Sequence, residues 1–195
     1  MHAVFFEVRP HPGHLKHYFE HVDRLRPVLA HHTGLAFLDR YASLEDADLL
    51  LSHQLWDSEE AIVGWRADAT HRRSQAAGRK VHFADYRIRV GERVIHWQSG
   101  TRETLARSET GSDGIHVVAL YGTERLDAPG FSSFESVNQH GKFIALATFD
   151  GLSAAKTALK AQAGMSGLDE AAAYSIRRDY GQFERAQAPG QTNSE

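Results

Sequence analysis

The fold of this chain is decided by residues 55–72, which read LWDSEEAIVGWRADATHR. A β-strand that ends at Trp56 runs directly into a helix, because Asp57–Ser58 offers an N-cap and the acidic residues that follow suit a first helical turn. This helix carries Trp65, and His71 follows at a spacing of six residues. The segment therefore predicts one strand–helix layer that brings two large rings and an imidazole together, as a pocket for a flat aromatic molecule or a tetrapyrrole requires.

The flanking residues complete a β-α-β-β-α-β order around this segment. Residues 2–9 are apolar and β-prone, and apolar side chains then recur at steps of three and four over 14–31, which predicts an amphipathic helix. Alternation predicts strands over 35–43 and 49–56, and a long strand follows over 83–97. This is the order of the ferredoxin-like split unit.

The second half of the chain repeats this unit in reduced form. Residues 134–137 match 41–44, and residues 148–150 match 55–57, at a common offset of 93. The repeat predicts strands over 115–122, 133–138, 142–149 and 171–184, with one helix over 152–163. Little chain separates the first two of these strands, so the first helix of this unit is expected to be lost or reduced to a turn.

Two such units predict an α+β fold in which tandem ferredoxin-like sheets pair face to face into a barrel. The expected division is a first unit at 1–97, a polar linker at 98–113, a reduced second unit at 114–185 and a disordered tail at 186–195. The sequence leaves open whether the barrel closes within one chain or between the chains of a homodimer.

Composition narrows the class of protein. The chain has 195 residues, is 42% hydrophobic and carries a formal net charge of −3, which allows a sizeable core and does not favour nucleic acid as a partner. No apolar run approaches the roughly 20 residues that span a bilayer. The absence of cysteine excludes disulfides and thiolate chemistry. We therefore expect a cytoplasmic protein that binds neither nucleic acid nor membranes and has no metal site.

Residues 3–97 resemble the antibiotic biosynthesis monooxygenase family. The motifs that carry the resemblance include FFEVRP at 5–10, LRP at 25–27, WR at 65–66, HR at 71–72 and DYRIRV at 85–90. The resemblance implies a dimeric α/β barrel. It also implies an activity among cofactor-independent monooxygenases of phenols and quinols, or among heme-degrading monooxygenases.

Each branch of the family implies different residues. In the quinol-oxidising branch a Trp at the end of the third strand lies beside the substrate, and Trp56 matches it; an Asn that helps to activate the substrate is replaced by Ser52. In the heme-degrading branch a helical Trp matches Trp65. The positions of its heme-ligating His hold Ser74 and Gln75, and the first-strand Asn of that branch falls near Phe6.

The candidate site residues fall into two groups. The candidates for catalysis are His71, Tyr86 and Ser52. The candidates for substrate binding are Trp56, Trp65, Gln54 and Arg66. An imidazole suits a general base because its pKa lies near the working pH, and the arginine-rich stretch 66–93 can attract a carboxylate or a phenolate. The ordinary alternatives are core packing for the rings, a structural role for the imidazole and a solvated face for the arginines.

The leading functional hypothesis is a cofactor-independent monooxygenase that oxidises a phenolic or quinol-type aromatic substrate with O₂. It needs a dry pocket, a base and hydrogen-bond donors, and no cofactor. One alternative is a heme-binding or heme-degrading monooxygenase, and another is a non-catalytic ligand-binding or stress-response barrel. Because Ala158 and Gly164 replace Trp65 and His71 in the repeat, we expect one site per chain, in the first half.

Overall fold

The computed structural model describes residues 1–99, 104–105 and 113–189. The elements of the first unit are β1 (His2–Pro10), α1 (Leu15–Leu29), β2 (Leu35–Ser43), β3 (Leu50–Trp56), α2 (Glu59–Ala67), α3 (Ala69–Ala77), a π-helical turn (Gly78–His82) and β4 (Phe83–Gln98). A two-residue strand, β5 (Thr104–Leu105), follows. The elements of the second unit are β6 (Ile115–Gly122), β7 (Ser132–Ser136), β8 (Phe143–Asp150), α4 (Leu152–Gln162) and β9 (Leu168–Gly181).

The strands form one closed barrel from two ferredoxin-like sheets. The first sheet has the order β4-β1-β3-β2 and the second has the order β9-β6-β8-β7. Strand β2 pairs with β7 and β4 pairs with β9, both antiparallel. This confirms the α+β fold of tandem ferredoxin-like units. The chain's own strands close the barrel, so the fold does not need the partner that the resemblance implied, and the homodimer stays a prediction.

The boundaries of the elements follow the hydrophobic pattern closely. Strands β2 and β6 have the predicted bounds, and no helix lies between β6 and β7, as expected for the reduced unit. Helix α1 ends at Leu29, two residues earlier than predicted, with Pro27 in its last turn. Strand β9 begins three residues earlier than predicted and ends at Gly181.

The two faces of the first sheet have different partners. On β3, Leu51 and His53 point into the barrel, while Leu50, Ser52, Gln54 and Trp56 lie on the outer face. Side chains from both sheets fill the interior as a packed apolar core. Helices α1, α2 and α3 cover the outer face, so any ligand site of the first unit lies between these helices and the sheet.

His53 belongs to a buried polar network in the interior. The Nε2 of His53 lies 2.8 Å from the hydroxyl of Tyr121, which in turn lies 3.0 Å from the hydroxyl of Tyr174. The imidazole stacks on Phe5 with ring centroids 4.6 Å apart. Desolvation lowers the pKa of His53 to about 4, so the ring is neutral near pH 7. This network belongs to the core of the barrel.

The chain after β9 returns to the first unit. Arg185 donates to the hydroxyl of Tyr86 at 2.7 Å, and Arg66 donates to the carbonyl of Pro189 at 2.9 Å. Most of the predicted linker and residues 190–195 of the predicted tail lie outside the described residues, so the proposed division into domains stays a prediction. Within the described part of the chain, no helix is long and apolar enough to cross a membrane.

Candidate active site

A cavity of about 480 Å³ lies between α1, α3 and the outer face of the first sheet. Phe6, Ser52 and Arg40 form its floor side by side, because Phe6 pairs with Ser52 across β1 and β3, and Ser52 pairs with Arg40 across β3 and β2. Helix α1 contributes Tyr18 and Leu25 to the walls. The cavity is therefore mainly apolar, with a few polar groups set on rigid strands, as small-molecule sites commonly are.

Two smaller cavities adjoin the main one. The first, of about 110 Å³, shares Gln54, Trp65 and His71 with the main cavity. The second, also of about 110 Å³, is lined by Tyr86 and by arginines of the α2–β4 region and of the returning chain end. The candidate residues thus divide between the main cavity and the two smaller cavities beside it, which we call the rim.

A break in the helix after α2 places His71. Ser58 caps α2 through the backbone amide of Ala61. Asp68 caps α3, since its carboxylate accepts from the backbone amides of Thr70 and His71 at 2.8 and 2.9 Å. The break turns the chain so that the imidazole of His71 lies flat on the indole of Trp65, with centroids 4.0 Å apart and planes 13° apart. A continuous helix would hold the two side chains on different faces.

The contacts of His71 define its protonation state. Its Nδ1 lies 2.9 Å from the carbonyl oxygen of Trp65, so Nδ1 carries the proton and donates it. The other nitrogen, Nε2, then keeps a lone pair and has the side-chain nitrogen of Gln75 at 3.4 Å. Desolvation lowers the pKa of His71 to about 4, although the Trp65 carbonyl acts in the opposite direction. The cavity therefore contains a neutral, oriented imidazole near pH 7.

Trp56 supports the cavity and does not line it. Its side chain is fully buried and packs with Val4, Ile62 and Trp65. Its indole nitrogen donates to the side-chain oxygen of Gln54 at 3.0 Å, and Gln54 lines the cavity. The rings of Trp56 and Trp65 therefore do not enclose a ligand from two sides. Trp56 is enclosed completely by α2 and the sheet, and the ring that stacks on Trp65 is the imidazole of His71.

The other candidates have separate places. Ser52 lies on the floor of the main cavity. Tyr86 lines the rim cavity, and its hydroxyl accepts from Arg185. Arg66 lines both smaller cavities. The structure therefore brings Ser52, Gln54, Trp65 and His71 together in the main cavity, and it leaves Tyr86 and Arg66 at the rim.

The first part of the chain is similar to a known family. Residues 1–77 match the sequence model of the antibiotic biosynthesis monooxygenase family. A protein of Pyricularia oryzae named jasmonate monooxygenase ABM is 40% identical over 92 residues, which are 47% of this chain and 43% of that protein. The chain thus matches less than half the length of this curated relative.

Solved structures resemble the whole barrel at low identity. An aldoxime dehydratase has a TM-score of 0.53 at 8% identity, over 90% of this chain and 80% of that chain. An anthrone oxidase-like protein has a TM-score of 0.43 at 14% identity, over 97% of this chain and 96% of that chain. The first of these likenesses shows the fold alone, and the second carries no further weight.

The residues of the first unit do not fit heme. The positions at which the resemblance implies an axial His hold Ser74 and Gln75, whose side chains are not axial ligands of heme iron. The nearest imidazole in the sequence, His71, is bonded through Nδ1 to the carbonyl oxygen of Trp65 and lies against its ring. A macrocycle therefore cannot stack on that face of Trp65 without displacing His71.

Sequence reasoning missed several polar residues of the main cavity, among them Arg40 and Tyr18. Arg40 lies on the outer face of β2, in line with Leu38, and Tyr18 lies on the inner face of α1. Burial raises the pKa of Tyr18, while the positive charge of the Arg40 guanidinium acts to lower that pKa. The alternation of β2 could have identified Arg40, because it shares a face with residues that cover the sheet.

Proposed function

We propose that the chain is a cofactor-independent monooxygenase that oxidises a phenolic or quinol-type aromatic substrate with O₂ in the main cavity. The match of residues 1–77 to the sequence model of the antibiotic biosynthesis monooxygenase family supports the reaction class. The observation that carries the proposal is the neutral imidazole of His71, stacked on Trp65 and facing an apolar cavity. Such an arrangement can take a proton from a hydroxyl group where water is excluded.

The proposed reaction begins with transfer of a substrate proton to Nε2 of His71. Although desolvation lowers the pKa of this imidazole, a substrate anion beside it raises that pKa again, because opposite charges stabilise each other in an apolar site. The electron-rich anion then reduces O₂. One oxygen atom enters the substrate and the other leaves as water, so the substrate supplies all the electrons. Ser52 and Gln54 are placed to bond the developing oxyanion.

The test is O₂ uptake by metal-stripped protein with hydroquinones and anthrone-type phenols. His71→Gln is expected to lower kcat/KM by about 100-fold or more, since a positioned base contributes that much. His140→Gln is the matched control, because the His140 side chain is 92% exposed and lies in the second unit. Equal uptake by both variants would contradict the role of His71, and no uptake across the panel would contradict the oxygenase proposal.

A second candidate substrate class comes from the relative named jasmonate monooxygenase, which is 40% identical over 92 residues. Jasmonate therefore belongs in the same panel of substrates. Uptake with jasmonate and none with phenols would favour this second class and would require a different route to oxygen activation. Tight ligand binding with no uptake would instead favour the non-catalytic barrel.

A further inference from the structure

The charges around the cavities have a single sign. Among the described residues that line the main cavity and the two adjoining ones, the charged side chains are Arg26, Arg40, Arg66, Arg79, Arg178 and Arg185, and no Asp or Glu is present. The whole chain carries a formal net charge of −3, so its average composition does not explain this lining. A cleft of one sign concentrates ligands of the opposite sign.

Several of these arginines have partners of their own. Arg26 pairs with Asp23 at 2.9 Å, and Arg178 pairs with Glu59 at 2.8 Å. Arg185 donates to the hydroxyl of Tyr86. These cations hold helices and the returning chain end in place.

Arg40 differs from Arg26 and Arg178, which each pair with a carboxylate. It forms no ion pair with a carboxylate within the described residues, and its Nε is buried without a hydrogen-bond acceptor. Its neighbour Asp39 points to the opposite face of β2 and accepts from Ser136 at 2.7 Å and from Asn138 at 2.8 Å. A half-buried cation without a counter-ion destabilises a protein unless a ligand supplies the opposite charge.

We propose that Arg40 binds a carboxylate of the ligand, so that the site takes aromatic molecules that carry one carboxylate. A guanidinium can offer two parallel N–H donors, which match the two oxygens of a carboxylate. Arg40 lies on the sheet beside Ser52, and His71 lies on the α3 wall of the same cavity, so the acid group and the reacting hydroxyl can occupy separate positions. This assignment of a substrate class rests on the proposed oxygenase function.

The test is isothermal titration calorimetry with 6-hydroxy-2-naphthoate and with its methyl ester, which removes the charge and keeps the ring. Wild-type protein is expected to bind the acid at least about tenfold more tightly than the ester, because a hydrogen bond to a charged group increases affinity by about that factor. Arg40→Gln is expected to bind both equally, and Arg40→Lys to retain part of the preference. Arg24→Gln, which removes an exposed charge from α1 outside the cavity lining, is expected to keep the wild-type preference.

Two results would overturn the proposal. Wild-type protein could bind acid and ester equally, which needs no variant and is independent of any folding defect. Alternatively, Arg79→Gln could abolish the preference while Arg40→Gln retains it, which would place the anion at the rim. The binding measurement does not depend on O₂ uptake, so the two proposals can fail separately. A preference for the acid that depends on Arg40, without O₂ uptake, refutes only the oxygenase function. O₂ uptake with neutral phenols that is unchanged in Arg40→Gln refutes only the carboxylate site.

Discussion

At the scale of single residues, the site depends on how neighbouring side chains fix one another. The indole of Trp65 and its carbonyl oxygen hold His71 in one orientation and one tautomer. Trp56 acts on the site indirectly, since its indole N–H donates a hydrogen bond to the side chain of Gln54, which lines the cavity. The sequence identified the rings of this group, but spacing alone could not show which ring faces the ligand and which one is enclosed.

Trp56→Phe tests this indirect role. The substitution keeps an aromatic ring in the core and removes the indole N–H, so we expect a loss of about 1 kcal/mol in the free energy of unfolding from the missing hydrogen bond. Because Gln54 is then no longer held, KM is expected to rise more than kcat falls. Urea unfolding and steady-state kinetics give the two quantities. A kcat that falls as strongly as in His71→Gln would show that Trp56 contacts the reacting atoms.

At the scale of elements, the break between α2 and α3 decides where the imidazole lies. The carboxylate of Asp68 caps α3 at this break. Periodicity predicted the strands because each has one face toward the barrel interior and one toward helices or solvent. The contacts of residues 185–189 with Arg66 and Tyr86 were not predicted, since a short polar chain end carries no periodic signal.

Asp68→Ala and Ser58→Ala form a matched pair that separates stability from position. Each removes the cap of one helix and is expected to lower the free energy of unfolding by about 0.5–2 kcal/mol. Only Asp68→Ala releases the first turn of α3, which carries His71, so only this variant is expected to lower kcat substantially. Thermal unfolding and O₂ uptake measure the two effects. Equal losses of kcat in both variants would contradict a positioning role for the α3 cap.

At the scale of the whole molecule, one chain builds a barrel that contains a neutral, buried histidine in each of two layers. His53 lies in the interior, and His71 lies between the sheet and α3. The duplication of the unit predicted two sheets that pair face to face. Closure within one chain depends on the pairing of β2 with β7 and of β4 with β9, and hydrophobic patterns do not specify which edges meet.

These two histidines make stability depend on pH. Burial lowers the pKa of each imidazole from 6.5 to about 4. Between these two pH values the histidines of the unfolded chain are protonated, while those of the folded protein stay neutral. The free energy of unfolding should therefore fall as the pH decreases from about 6.5 to about 4. The fully buried His53 alone should contribute about 3 kcal/mol of this loss. Urea unfolding at several pH values measures the slope, and His53→Gln should make it shallower. An unchanged slope in that variant would contradict a neutral, buried His53.

The most direct test of the central claim, that the cavity beside Trp65 and His71 performs a cofactor-independent oxygenation, is a single-turnover reaction under ¹⁸O₂ with metal-stripped protein and a carboxylate-bearing hydroquinone. We expect mass spectrometry to find one ¹⁸O atom in the product of the wild-type protein and of His140→Gln, and labelled product to form about 100-fold more slowly with His71→Gln. Product that carries oxygen from water, or labelled product formed equally well by His71→Gln, would contradict the account.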